Sequence, residues 1–128
     1  MHPMNDQTTT VAQLRKAMER FVAARLWRKF HKPKNLAMSL AIEAAEIMEH
    51  FQWLTHDEVE DLLAKPAARR RVADEMADVL SFLLSLSEAT GIDLSAAFER
   101  KMAANEKKYP VARCRGRYKM PRPRKTRA

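Results

Sequence analysis

Two acidic pairs of identical spacing, Glu43-Ala-Ala-Glu46 and Glu75-Met-Ala-Asp78, lie inside apolar series that repeat at helical intervals. At 100° per residue the acids of one pair stand about 60° apart around a helix. The first pair borders a stripe of Leu36, Leu40, Ala44, Ile47, Phe51 and Leu54. The second borders Val72, Met76, Val79, Phe82, Leu83 and Leu86. Four carboxylates beside core surface are costly unless something neutralises them. A bound divalent cation is the simplest compensation, so the pairs read as a metal site built between two long helices. The competing reading, two solvated helix faces, is weakened by the repetition of the pattern.

The rest of the composition agrees with helices. Only two glycines occur in 128 residues, and the chain is rich in Ala, Leu, Met, Glu, Lys and Arg, which predicts an all-α fold, a bundle of four to five helices. This length suits one domain. A single cysteine, Cys114, excludes a disulfide framework or a cysteine metal site within one chain. With no apolar run of about 18 residues and no signal-peptide pattern, the expectation is a cytoplasmic protein without a membrane partner.

The net charge of +8 is concentrated at one end. All 16 acidic residues and 16 of the 24 basic ones fall within 1–110, so that part sums to zero. The excess is Arg113, Arg115, Arg117, Lys119, Arg122, Arg124, Lys125 and Arg127. The predicted organisation is a disordered stretch at 1–9, a domain at 10–110 and a basic flexible tail at 111–128.

Along the chain, Thr10-Val-Ala-Gln13 reads as a capping box opening a first helix that runs to about Phe30. Pro33 breaks it, and Asn35 or Ser39 starts a second helix reaching about Leu54. Thr55-His-Asp-Glu58 is another capping box, opening a short third helix to about Ala64. Pro66 suits the first turn of a fourth helix that the periodicity carries to Thr90, closed by Gly91. Asp93 or Ser95 caps a fifth helix ending near Tyr109-Pro110.

Ligand type narrows the metal. His50 follows Glu49 directly and no histidine lies near Glu75 or Asp78, so the Glu-x-x-His pattern of di-iron bundles is missing. An all-carboxylate set favours hard cations, Mg²⁺ first and Mn²⁺ second. Mg²⁺ is commonly shared with substrate phosphates, which points to phosphoanhydride chemistry.

Four words carry a family resemblance: Trp27-Arg-Lys-Phe-His31, Ile42 through Phe51-Gln-Trp53, Asp74-Glu-Met-Ala-Asp78, and Arg100 through Lys108-Tyr-Pro110. In order and spacing they resemble the MazG-like all-α nucleoside triphosphate pyrophosphohydrolases, most closely the dCTP pyrophosphatase branch, over roughly residues 10–112. The resemblance implies Mg²⁺ held by Glu43, Glu46, Glu75 and Asp78. It also implies cleavage of a (d)NTP, dCTP or a modified dCTP, between the α and β phosphates, giving a monophosphate and pyrophosphate. The chain departs from the pattern of the family or of that branch at four positions. Ile42 stands where the broader family often has an acid, and Ala45 replaces a glycine. Met18 occupies the place of a base-contacting histidine, and Phe82 that of an aromatic hydroxyl.

The resemblance further implies that Trp27 and Trp53 stack on or wall the base, with Phe30 and Phe82 beside them. Arg28, Lys29 and His31 suit phosphate or sugar contacts. Lys101, Asn105 and Lys108 share one helix face with Tyr109 near its end, a candidate phosphate strip or a solvated face. One of the four carboxylates, or Glu49 one turn on, accepts the proton of the attacking water. A domain of this size is small for a complete nucleotide pocket, so a homodimer or homotetramer is expected. The competing function is a helical nucleic-acid-binding protein acting through the Arg/Lys tail. With a neutral domain and only Tyr118 for stacking, that tail supports no more than weak, salt-sensitive binding.

Overall fold

Pro66 and Gly91 bracket the longest helix of the computed structural model, which describes residues 2–117. Pro66 sits in its first turn, where a missing N–H costs nothing, and Gly91 closes it with φ +69°. The helices are α1 (Val11–Ala24), α2 (Pro33–Phe51), α3 (His56–Leu63), α4 (Pro66–Thr90), α5 (Leu94–Lys108) and α6 (Val111–Cys114). No strand occurs among the described residues, so the all-α expectation holds. Residues 2–93 form one unit and 94–117 a second.

Within the first unit, α4 is the hub, with α1, α2 and α3 packed on it. The buried apolar residues are Val22 of α1, Leu36 of α2, and Ala68, Val72 and Leu84 of α4. Leu36 is the largest side chain that is fully enclosed. Its replacement by alanine leaves a cavity in that core. Leu36→Ala is expected to destabilise the protein by roughly 2–5 kcal/mol in chemical denaturation. Around this thin core, Met38, Ile42, Met76 and Leu80 stay exposed. Met76, expected in the α4 stripe, is 59% exposed.

Both predicted capping boxes form. The Thr10 hydroxyl accepts from the Gln13 amide while Gln13 accepts from the Thr10 amide, and Thr55 and Glu58 repeat the exchange. The Thr55 amide and hydroxyl hold the Glu58 carboxyl below its ordinary range.

Two boundaries differ from expectation. Helix α1 stops at Ala24, six residues before Phe30, because Leu26 turns left-handed at φ +55°. The Leu26 amide donates to the Ala23 carbonyl and the Trp27 amide to that of Val22, which is a Schellman closure with leucine in the place glycine usually takes. A left-handed leucine costs about 1–2 kcal/mol. The closure is accompanied by Trp27 packing edge-on against Phe21, ring centroids 5.8 Å apart. At the second boundary, Pro33 does not merely end one helix. It occupies the first turn of α2, with Lys32 as its cap.

At the termini, the Asn5 side chain accepts from the amides of Gln7 and Thr8 and closes a turn within 2–9. Within the expected tail, Val111–Cys114 make one helical turn. Tyr118, Lys119, Arg122, Arg124, Lys125 and Arg127 lie outside the described residues. No single described helix is long and apolar enough to cross a membrane.

Candidate active site

Helices α2 and α4 each carry one of the acidic pairs, and their packing brings the pairs together. One carboxylate oxygen each from Glu43, Glu75 and Asp78 lies within 4.8 Å of the others. Glu46 comes within hydrogen-bonding reach of the carboxyls of both Glu43 and Glu75. Glu43, Glu46 and Glu75 are half-buried and Asp78 is exposed, so the cluster opens to solvent on the Asp78 side.

The cluster is electrostatically uncompensated. Glu43 Oε2 and Glu75 Oε2 are buried with no hydrogen-bond partner. Among the described residues the ion pairs are Arg15–Glu88 and Arg28–Glu19, and neither reaches these acids. Burial, followed by the hydrogen bond with Glu46 and its charge, pushes Glu43 up to about 7. A hydrogen bond with Glu46, followed by burial, raises Glu75. Crowded carboxylates that cannot all ionise, with oxygens left unpaired, are what a hard divalent cation would resolve. The donor set fits such an ion.

Beside the acids, a cavity of about 550 Å³ runs between α1 and α4. Asp78 lines it and also belongs to the cluster, so the cavity begins at the acidic site. Its walls are mainly apolar: Leu14, Met18 and Phe21 from α1, Trp27 from the turn, and Leu80, Phe82 and Leu84 from α4. His31 lines it as well, with Nδ1 buried and unpartnered. The Leu26 turn puts Trp27 at this wall, with the Arg25 guanidinium stacked 3.6 Å from the Phe21 ring centroid.

Within the first unit, several expected contacts are not brought to this cavity. Arg28 pairs with Glu19 at 2.9 Å and faces a second cavity, of about 480 Å³, with Arg15, Lys32 and Glu88. His31 borders both cavities. Lys29 lies over the Phe30 ring and both are exposed. Trp53 follows the end of α2 and is 86% exposed, without a partner wall in its own unit. Glu49 is exposed. Lys101, Asn105, Lys108 and Tyr109 belong to the second unit.

The sequence reading missed Leu14, Phe21, Ser81 and Leu84 as cavity residues. Leu14 and Phe21 stand out in the sequence only as apolar residues at helical spacing within the first helix. Periodicity shows that a side chain leaves one face of a helix. It does not distinguish a packed face from the wall of a cavity.

The sequence profile of the MazG-like family matches residues 38–119, a span that contains both acidic pairs. The chain is 36% identical over 107 residues to dCTP pyrophosphatase 1 of Rattus norvegicus, covering 84% of this chain and 63% of that protein. Against dCTP pyrophosphatase 1 of Homo sapiens the identity is 35% over 102 residues, covering 80% and 60%. The chain thus spans under two thirds of the length of these curated relatives. A crystal structure of a pyrophosphatase from Archaeoglobus fulgidus superposes with a TM-score of 0.74 at 38% identity, covering 84% of this chain and 99% of that one. With its paired acids in helices packed as these are, the chain belongs to the MazG-like family.

Proposed function

We propose that this protein is a Mg²⁺-dependent nucleoside triphosphate pyrophosphohydrolase that cleaves a (d)NTP, with dCTP or a modified dCTP among its substrates, to the monophosphate and pyrophosphate. The observation that carries the reading is the uncompensated cluster of Glu43, Glu75 and Asp78 opening directly into an apolar cavity. The relatives' names as dCTP pyrophosphatases support it.

Glu43, Glu46, Glu75 and Asp78 would hold the metal, Mg²⁺ or Mn²⁺. When bound, the ion neutralises phosphate charge and helps orient the attacking water. The chain's own residues then divide the substrate. Asp78 marks the phosphate end of the cavity. Trp27, Phe21, Met18 and Phe82 enclose the base and keep water from it. His31 lines the cavity and is placed to contact the sugar or a phosphate. Proton acceptance falls to a carboxylate of the cluster in preference to the solvated Glu49. We place the activity in the cytoplasm, with the nucleotide pool.

The working form is a homodimer or homotetramer. Trp53, Met38, Ile42 and Met76 are too exposed for a lone subunit, and burial in a subunit interface would cover them. One experiment tests both statements. Fractions from size-exclusion chromatography, sized by light scattering, are assayed with dNTPs and Mg²⁺ for pyrophosphate and orthophosphate. Pyrophosphate release in a dimer or tetramer peak, abolished by chelator, is expected. Orthophosphate as the only product would sink the reaction assignment, and a fully active monomer would sink the assembly.

A further inference from the structure

Arg25 grips the aromatic end of the cavity at two points. Phe21 and Trp27 both line that cavity, and their rings meet edge-on with centroids 5.8 Å apart. The backbone of Trp27 is fixed: its amide donates to the Val22 carbonyl, and its carbonyl accepts from the amides of Phe30 and His31. That leaves the side-chain torsions to be settled by what the indole touches. Phe21 is 43% exposed and Trp27 42%, so the core of their own unit encloses neither ring. The orientation of the pair therefore depends on contacts that the rings make at the surface.

Arg25 follows α1, and its amide bonds the Val22 carbonyl three residues back. An unbroken helix would have offered that amide to Phe21. The Phe21 carbonyl instead accepts from Arg25 Nη1 at 3.0 Å. The guanidinium carbon of the same side chain lies 3.6 Å from the Phe21 ring centroid and 6.0 Å from that of Trp27. One planar group thus ties the backbone of Phe21 to its ring, and it reaches Trp27 at the limit of cation–π range. Lysine is no substitute at such a place. Its ammonium is a point charge on a flexible stem, whereas the guanidinium offers donors in its plane and a face for stacking.

We propose that Arg25 is a positioning residue for the base-binding wall, fixing through Phe21 the orientation in which Trp27 lines the cavity. The proposal rests on the pyrophosphohydrolase reading above and names a residue on which nucleotide affinity at that site depends. A wall that contacts the base in the ground state and the transition state alike contributes uniform binding, which appears in KM and not in kcat. The competing role is a helix cap alone, since basic side chains near a helix C-terminus commonly bond its last carbonyls.

Two measurements on the full chain test it. In the first, pyrophosphate release from dCTP with Mg²⁺ is followed for the wild type, Arg25→Ala, Phe21→Leu and the double variant. Arg25→Ala is expected to raise KM by roughly three- to tenfold, the scale of an exposed cation–π contact reinforced by a hydrogen bond. Its kcat is expected to stay within about twofold. In the Phe21→Leu background the same substitution is expected to change KM by less than about 1.5-fold, because its route to the cavity is gone. Arg25→Lys, which keeps the charge without the planar fork, is expected to show about half of the alanine effect or more, and it replaces that variant should the alanine fail to fold. A wild-type KM in these variants overturns the proposal. An equal KM effect in both backgrounds overturns it too, because Arg25 would then touch the substrate itself. In the second measurement, Trp53→Phe leaves Trp27 as the only tryptophan, and circular dichroism is recorded without substrate. Adding Arg25→Ala is expected to cut the near-ultraviolet tryptophan band to about half or less while the far-ultraviolet signal is retained. An unchanged band overturns the proposal, since a helix cap alone would leave the indole in place. Either of these failures in an active enzyme leaves the pyrophosphohydrolase reading intact. No pyrophosphate from the wild type removes that reading and the role of Arg25 in nucleotide binding together.

Discussion

Glu75→Ala is expected to lower pyrophosphate release by on the order of 10³-fold or more while leaving the helical circular dichroism signal unchanged. The magnitude follows from the several kcal/mol that a bound cation contributes to a phosphoryl transition state, each 1.36 kcal/mol being a factor of ten. Stability supplies a second readout of opposite sign. Without metal, Glu75 is a half-buried acid crowded by Glu43, Glu46 and Asp78, with one oxygen unpaired. Removing it relieves repulsion, so the variant is expected to melt at the same or a higher temperature than the parent in chelator. With Mg²⁺ the order reverses, because the ion stabilises only the chain that binds it. A purely structural carboxylate predicts something else: a lower melting temperature in chelator and no change in the metal-induced shift. That pair of results would remove Glu75 from the metal site. The combination of lost function and gained metal-free stability is the ordinary signature of a site held in a strained arrangement for chemistry.

What could be read before the fold was known divides along a physical line. Local signals were legible. Thr10 and Thr55 cap helices because their hydroxyls have a defined amide three residues on, and Gly91 ends α4 because a left-handed residue is needed there. The acidic pairs were legible for the same reason, since an i,i+3 spacing is a statement about one helix. The end of α1 was not. Leu26 carries no turn signal, and it adopts a left-handed conformation within the closure that seats Trp27 beside Phe21. Tertiary pairing was likewise invisible. Arg28 was read as a phosphate contact from its neighbours in the chain, yet Glu19, nine residues earlier and on α1, lies 2.9 Å from it. That Glu43 and Glu75 meet depends on the register of α2 against α4, which no spacing within either helix encodes. Trp53 marks a further limit. It is 86% exposed, and helical spacing in one chain says little about what faces it.

Glu43 is expected to make the site pH-dependent, in a direction that differs between the protein in chelator and in Mg²⁺. Its carboxyl is raised from the ordinary 4.5 to about 7, first by burial and then by the hydrogen bond with Glu46. In the metal-free protein the folded state therefore holds a proton that the unfolded chain has already released. The stability that this protonation contributes is complete below 4.5 and is lost as pH rises through about 7. Compared with Glu43→Gln, which mimics the protonated acid at every pH, the wild type in chelator should lose melting temperature steadily over that window and level off above it. Divalent cation reverses the trend, because metal and proton compete for the same oxygens. The Mg²⁺-induced rise in melting temperature should be small near pH 5 and grow to a plateau by about pH 8. Glu75, shifted the same way, broadens the rise. In Glu43→Gln most of the metal response should vanish. Thermal melts of both proteins across this range, in chelator and in Mg²⁺, decide the matter. A constant difference between the two proteins in chelator would mean that Glu43 ionises as freely in the fold as in the unfolded chain. The crowding on which the proposed cation site rests would then not exist.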